Sequence, residues 1–174
     1  MLSHKISIIF ILNFYNMIQR VQTLYLVIMI LFLSFVTFGS PLFSFVNDLS
    51  RFEFSSYGII EYSVNGGVIL DEQFYPFFIA TISLILMGFL TLMSFKKLDR
   101  QFKLGRLVFF IYFFILVSVI ILSIFGDSLL DVSINHREMG LGFFLFVSGF
   151  PFSFLANTGI KRDKKLLDSL DRLR

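Results

Sequence analysis

Four long apolar segments alternate with shorter polar ones along this chain of 174 residues. They cover residues 21–43, 74–95, 107–125 and 139–156, and none has a charged side chain in its central part. A helix of about 20 mostly apolar residues crosses the hydrocarbon core of a bilayer and satisfies its own backbone hydrogen bonds there. The pattern predicts an all-α membrane protein with a four-helix transmembrane bundle. Four buried helices of a soluble bundle are the alternative.

The polar segment between the first two apolar runs, residues 46–73, has an alternating pattern. The apolar side chains that share one parity are Phe52, Phe54, Ile60, Tyr62 and Val64. This period of two is typical of a half-buried strand, and residues 68–70 suit a second strand. Asn65-Gly66-Gly67 between them favours a tight turn with positive φ. We therefore expect a small extracytoplasmic β-hairpin that packs on the helix ends or on a partner.

The last segment, residues 159–174, has the period of an amphipathic helix. Its leucines (Leu166, Leu167, Leu170 and Leu173) share one side, and most of its basic residues (Lys161, Lys164, Lys165 and Arg172) lie on the other. One interpretation is an interfacial helix on anionic lipid, and the other is a docking helix for a cytoplasmic partner. The candidate lipid or partner contacts are Gln19, Arg20, Lys164, Lys165, Leu166, Leu170, Arg172 and Arg174.

Small residues recur on one side of two of the apolar segments. They are Ala80, Ser83, Thr91 and Ser94 in the second, and Gly142, Gly149, Ser153 and Ala156 in the fourth. Small faces let helix backbones approach closely in lipid, either within this bundle or against a partner's helix. Pro151 should kink the fourth helix, because proline removes one backbone donor and clashes with the preceding turn.

Basic residues are sorted between the ends of the apolar segments. Twelve of the fifteen Lys and Arg residues are Arg20, five residues of 96–106 and six of 161–174. The other two connecting segments are rich in Asp and Glu and hold only Arg51 and Arg137. Short cytoplasmic loops carry an excess of Lys and Arg. We therefore expect a multi-pass membrane protein with both termini in the cytoplasm.

The first sixteen residues do not fit the pattern of the rest. Their apolar stretch, residues 6–12, is too short to span, and no small-residue cleavage site follows it. We expect Met17 to be the natural start, with an interfacial helix as the alternative. The expected organisation is an N-terminal extension (1–16), a four-span membrane domain (17–158) and a cytoplasmic amphipathic tail (159–174).

Catalytic or cofactor chemistry is not indicated by any motif. The chain has no Cys, and His136 stands beside Arg137 and Glu138 without a second His nearby, so no metal site is expected. No phosphate-binding loop and no nucleophile–base pair is recognisable. Membrane topology explains the basic clusters without nucleic acid. The expected contacts are the lipid bilayer and either a membrane-protein partner or a second copy, and no cofactor is expected.

Both ends of the chain carry a family resemblance. The segment from Met17 to Tyr25 and the closing residues, Leu155-Ala156-Asn157 and Asp171-Arg172-Leu173-Arg174, resemble a family of small four-span membrane proteins from Bacteroidota. That family is known as domain of unknown function 4293. The resemblance covers residues 17–174 and implies an inner-membrane location, but it implies no activity and no catalytic residues.

Three functions are compatible with these features. The favoured hypothesis is a non-enzymatic accessory or scaffold subunit of a membrane complex. The alternative is a small-solute transporter or channel component, which would need polar groups inside the bundle that the four segments lack. The third, ranked lowest, is a lipid-modifying enzyme that uses His136 and nearby acids.

Overall fold

The computed structural model describes residues 21–63, 67–126 and 135–171, with side chains described as far as Leu166. Four helices lie in this part of the chain. They are α1 (Val21–Thr37), α2 (Phe77–Met93), α3 (Leu98–Phe125) and α4 (Leu141–Asp171). A short 3₁₀ turn, Ser94–Lys96, links α2 to α3. The chain is thus mostly helical, as predicted.

The helices form a closed ring in which α1 contacts α2 and α4, and α3 contacts the same two. Each helix buries one side: the buried residues of α1 include Leu26, Met29, Leu33 and Val36, spaced three or four apart. Tyr112 and Phe146 are the largest fully buried side chains at the centre. The opposite sides remain apolar and exposed, as expected for helix surfaces that face lipid.

Three helical segments in the described chain are long and apolar enough to cross a membrane: Phe77–Lys96, Leu98–Phe125 and Leu141–Leu166. The first helix is shorter, with 17 described residues from Val21 to Thr37. The predicted first span was wrong at its end, because the chain leaves the helix at Gly39 (φ +98°) and Phe43 lies in a strand. Glycine favours this left-handed conformation after a helix. A bundle of four spans remains a prediction.

A five-stranded antiparallel sheet covers one end of the bundle. Its strands are β1 (Phe43–Val46), β2 (Ser50–Phe54), β3 (Gly58–Ser63), β4 (Ile69–Phe74) and β5 (His136–Met139). They lie in the order β4-β3-β2-β1-β5. The predicted hairpin is present as β3 and β4, with Gly67 at φ +61°, but it is one part of a larger sheet. The all-α description was therefore incomplete.

The predicted single strand across residues 52–64 is wrong. A tight turn at residues 55–57 divides it into β2 and β3, where the Ser55 amide donates a hydrogen bond to the Gly58 carbonyl. After the turn, odd-numbered side chains lie on the face that even-numbered ones occupy before it, because Phe54 pairs with Ile59 and Arg51 pairs with Tyr62. Phe52 and Phe54 therefore lie on one face of the sheet and Ile60 and Tyr62 on the opposite face, because directly paired residues share a face.

The phenylalanine face of the sheet packs on the helix ends. The rings of Phe43 and Phe54 stack with centroids 4.8 Å apart. Together with Phe45, Phe52, Ile59, Leu122 and Gly126 they line a cavity of about 50 Å³. This packing places the sheet at the end of the bundle where α1 and α3 end and α2 and α4 begin, called here the sheet end. The opposite end, which carries residues 94–106 and the last turns of α4, is called the basic end.

Candidate functional site: the surfaces at the two ends of the bundle

The last turns of α4 are docked on the first turns of α3 at the basic end. The Lys164 ammonium lies 2.5 Å from the Asp99 carboxylate, and 5.7 Å from the centre of the Phe102 ring. The Arg106 guanidinium lies 4.5 Å from the centre of the same ring. The Asp99 carboxylate is otherwise exposed. The tail is therefore helical and, up to Lys164, attached to the bundle.

The eight predicted lipid or partner contacts, two near the start of the chain and six in the tail, divide into three groups. Lys164 pairs with Asp99 of α3, whereas Lys165 and Leu166 are exposed. Leu170 lies within α4, which runs without interruption from Leu141 across the expected boundary at 158/159. Gln19, Arg20, Arg172 and Arg174 lie outside the described residues. The contact role of the whole set remains a prediction.

The outer face of the sheet carries a cluster of charges around Arg51. An Arg51 guanidinium nitrogen (Nη2) lies 3.0 Å from Glu138 Oε2 and donates to the Ser44 hydroxyl over 3.3 Å. Its Nε lies 3.9 Å from Glu53 Oε2. Arg51, Glu53 and Glu138 line an open concavity of about 460 Å³ together with Val46, Tyr62, Ser63 and Gly67. Strand β5, which is distant in sequence, thus joins the consecutive strands β1, β2 and β3 in one polar surface.

His136 lies on this surface, in β5. Its Nε2 is 3.5 Å from the Glu138 carboxylate, and its side chain is exposed. Sequence alone does not bring Arg51 and His136 to the same carboxylate, that of Glu138, because the pairing of β1 with β5 depends on the tertiary fold. Among the described residues no three His, Cys, Asp or Glu side chains come together to hold a metal ion.

Strand β4 forms one edge of the sheet. All six of its residues are exposed, and within the described chain it pairs only with β3. Ile69, Leu70 and Phe74 expose more than half of their surface, while Asp71 and Glu72 give the strand negative charge. The free backbone groups of such an edge are a template for pairing with another strand.

Buried side-chain amides and one buried hydroxyl lie near the basic end. Gln22 and Gln101 are almost fully buried, and neither side-chain amide has a hydrogen-bond partner among the described residues. The same holds for the Ser153 hydroxyl and the Asn157 carbonyl oxygen. Gln101 was assigned to a loop, but α3 begins earlier than expected, at Leu98. Its position four residues before Gly105, in step with buried Val108 and Tyr112, was the available signal.

The small residues of α4 serve packing inside the molecule. Gly149, Ser153 and Ala156 are all buried. Gly142 lies against the backbone of Ser40 and Pro41, which an added Cβ would meet at 2.6–2.8 Å. On α2, Ser83 is exposed, and the close approach within the bundle occurs at Gly88, which lies against Met29 and Ile30.

Comparison with known proteins gives a match to one family model. The model, described as Domain of unknown function (DUF4293), matches residues 18–173. No curated protein and no solved structure matches the chain.

Proposed function

The chain belongs to the DUF4293 family, and we propose that it is a non-enzymatic accessory or scaffold subunit of an inner-membrane protein complex. In this proposal the helices anchor the molecule in the bilayer and the sheet presents a binding surface outside the cytoplasm. The three long apolar helical segments support the membrane location.

The distribution of charge supports the orientation. The basic end carries Lys96, Lys97, Arg100, Lys103 and Arg106, all exposed. The sheet end carries acidic residues on β2, β3, β4 and β5. Because Lys and Arg near the ends of membrane helices are retained in the cytoplasm, the basic end and both termini are cytoplasmic in this proposal.

The observation that carries the scaffold proposal is the exposed edge of β4. A partner strand placed beside it would gain main-chain hydrogen bonds and would cover Leu70 and the other exposed apolar side chains. The carboxylates of Asp71 and Glu72 oppose pairing with a second copy of the same strand, because like charges would face each other. The fitting partner is therefore a protein segment that has a free strand with basic side chains.

Site-specific photo-crosslinking in intact cells tests this proposal. A photo-reactive residue at Leu70 should give one discrete heavier product, whereas the same residue at Leu86, exposed on α2, should give none. Reversing the charge of the edge with Asp71→Lys and Glu72→Lys should abolish that product. The matched control, Lys103→Glu with Lys161→Glu, reverses two exposed charges at the basic end and should preserve it. A product from Leu86 but not from Leu70 would show that a partner binds the helices instead.

A small-solute transporter or channel component is the second candidate, and the buried amides of Gln22, Gln101 and Asn157 favour it. Unpaired amides suit neutral polar solutes such as urea or glycerol. The centre of the bundle opposes passage, because Leu26, Met29, Val108 and Phe146 are fully buried there. Light-scattering measurement of glycerol flux into reconstituted vesicles distinguishes this function from the scaffold.

A further inference from the structure

A second feature of the basic end is an open concavity of about 250 Å³ between the end of α2 and the start of α3. Its lining consists of Leu90, Met93, Ser94, Lys96, Lys97 and Arg100. Three of the six are cations and none is an acid. Three positive charges around one small space repel each other unless an anion lies between them.

The one acid of residues 94–106 does not neutralise this group. Asp99 follows Lys97 and Leu98 in the first turn of α3, but its carboxylate is held by Lys164 of α4 at 2.5 Å. Because Asp99 is paired with Lys164, it does not balance the positive charge of Lys96, Lys97 and Arg100. The docking of α4 on α3 therefore keeps the concavity positively charged.

The N-terminus of α3 adds a second source of positive potential. Lys97 precedes the helix and makes no side-chain capping hydrogen bond, and the first backbone bond of the ladder is donated by the Gln101 amide to the Lys97 carbonyl. The first amide groups of a helix have no acceptor within it, and its dipole attracts anions. In a helix of 28 residues this end, beside three basic side chains, is an anion-binding arrangement.

The wall of the concavity that belongs to α2 is apolar and leads toward the middle of the helix. Leu90 and Met93 are about half exposed, and Leu86 and Phe89 continue the exposed apolar side by one more turn. A free phosphate ion would gain nothing from these side chains. A phospholipid would place its phosphate among the cations and its acyl chains along α2.

We propose that this concavity, lined by Lys96, Lys97 and Arg100, binds the headgroup of an anionic phospholipid at the membrane boundary. The inference rests on the membrane location in the proposed function, because only there is lipid the abundant ligand. It adds a defined site to the diffuse attraction between basic residues and an anionic membrane surface.

Native mass spectrometry of the full chain in detergent, titrated with phosphatidylglycerol, tests the proposal. We expect one lipid to bind more tightly than the rest, and phosphatidylcholine to show no such site. The variant Lys96→Gln/Lys97→Gln/Arg100→Gln should bind that lipid on the order of a hundredfold more weakly, since each basic residue near an anionic headgroup contributes about fivefold. The matched control, Lys103→Gln/Lys161→Gln/Arg162→Gln, removes the same number of exposed charges and should retain the site.

Three results would overturn the site. Equal weakening by both triple variants would show diffuse attraction, inorganic phosphate that competes as well as the lipid would show a simple anion site, and no difference between the two lipids would show no headgroup preference. Membrane insertion is measured separately, by resistance of the chain to alkaline extraction. A chain that is extracted by alkali contradicts the proposed membrane location, whereas an inserted chain without the tight lipid contradicts only this inference.

Discussion

At the scale of single residues, the contact between Tyr112 and α4 shows how a polar group is accommodated at the centre of the bundle. The buried Tyr112 hydroxyl donates a hydrogen bond to the Phe146 carbonyl over 2.7 Å. Pro151 also lies inside α4, and its missing N–H leaves the carbonyl of Val147, not that of Phe146, without its usual donor in the helix. Gly149 makes the approach possible, because an added Cβ would lie 2.2 Å from the tyrosine oxygen.

Gly149→Ala should therefore destabilise the protein, although alanine is the better helix former. The clash with the Tyr112 oxygen should cost about 1–3 kcal/mol, the usual range for overpacking. Thermal unfolding in detergent measures the effect. Tyr112→Phe removes the oxygen and should cost roughly 1 kcal/mol alone. The double variant should be more stable than the sum of the two single effects, because the atom that clashes is gone; strict additivity would refute the contact.

At the scale of elements, the turn between β2 and β3 joins the sheet to two helices. The buried Ser56 hydroxyl donates to the Val36 carbonyl of α1 over 2.6 Å, and the Ser56 carbonyl accepts from the Phe78 amide of α2 over 2.8 Å. Both backbone groups lie at helix ends, where partners within the helix are missing. Ser56 thus bonds to the end of α1 and to the beginning of α2, and this explains why the turn residues Ser55 and Ser56 are buried.

Replacing this hydroxyl should loosen the sheet end locally. Ser56→Ala removes the shorter of two hydrogen bonds to the Val36 carbonyl, which retains the Gly39 amide at 3.3 Å, and one lost hydrogen bond costs about 0.5–1.5 kcal/mol. Hydrogen exchange should become faster at residues 36–39 and 55–58, with little change at the basic end. Ser83→Ala is the control, since Ser83 is exposed and donates only to the Ile79 carbonyl of its own helix. Equal exchange in both variants would mean that Ser56 does not hold the turn.

At the scale of the whole molecule, the two ends of the bundle differ in architecture as well as in charge. Segments that are far apart in the chain combine at the sheet end, where β5 pairs with β1, whereas the described residues of the basic end belong to helix termini and the short turn between α2 and α3. The end of the bundle that carries the sheet is therefore the end with few Lys and Arg residues, and the opposite end carries most of them. In the proposed orientation the sheet is the only regular structure among the described residues that lies outside the cytoplasm.

Topology reporters measure this orientation directly. An alkaline phosphatase that is active only outside the cytoplasm should be silent when fused after Arg174 and active when inserted at Asn65, between β3 and β4. A fluorescent protein that folds only in the cytoplasm should give the opposite pair of results. The physical reason is the retention of basic loops in the cytoplasm. An active phosphatase after Arg174 would reverse the proposed orientation.

The sequence predicted those features that depend on local composition. The segments 74–95 and 107–125 correspond closely to α2 and the apolar part of α3, since a long apolar run with helical hydrogen bonds is recognisable without its neighbours. The turn at Gly67 was recognisable for the same reason, because its conformation is a property of glycine itself. The family was indicated by residues at the two ends of the chain and is confirmed over residues 18–173.

Only the tertiary structure decided the sheet and the sites. Strand β5 is four residues without a strong strand pattern of their own, and they form a strand because they pair with the edge of β1. This pairing places Glu138 beside Arg51. The alternation across residues 52–64 was misinterpreted because the turn held by Ser56 reverses the facing of every later side chain. Which helices are neighbours likewise decides that Gln22 and Gln101 are buried. It also decides that Asp99 forms an ion pair with Lys164. Hydrophobicity is a property of each segment, whereas strand pairing, burial and charge pairing are properties of contacts between segments, and contacts exist only in the folded chain.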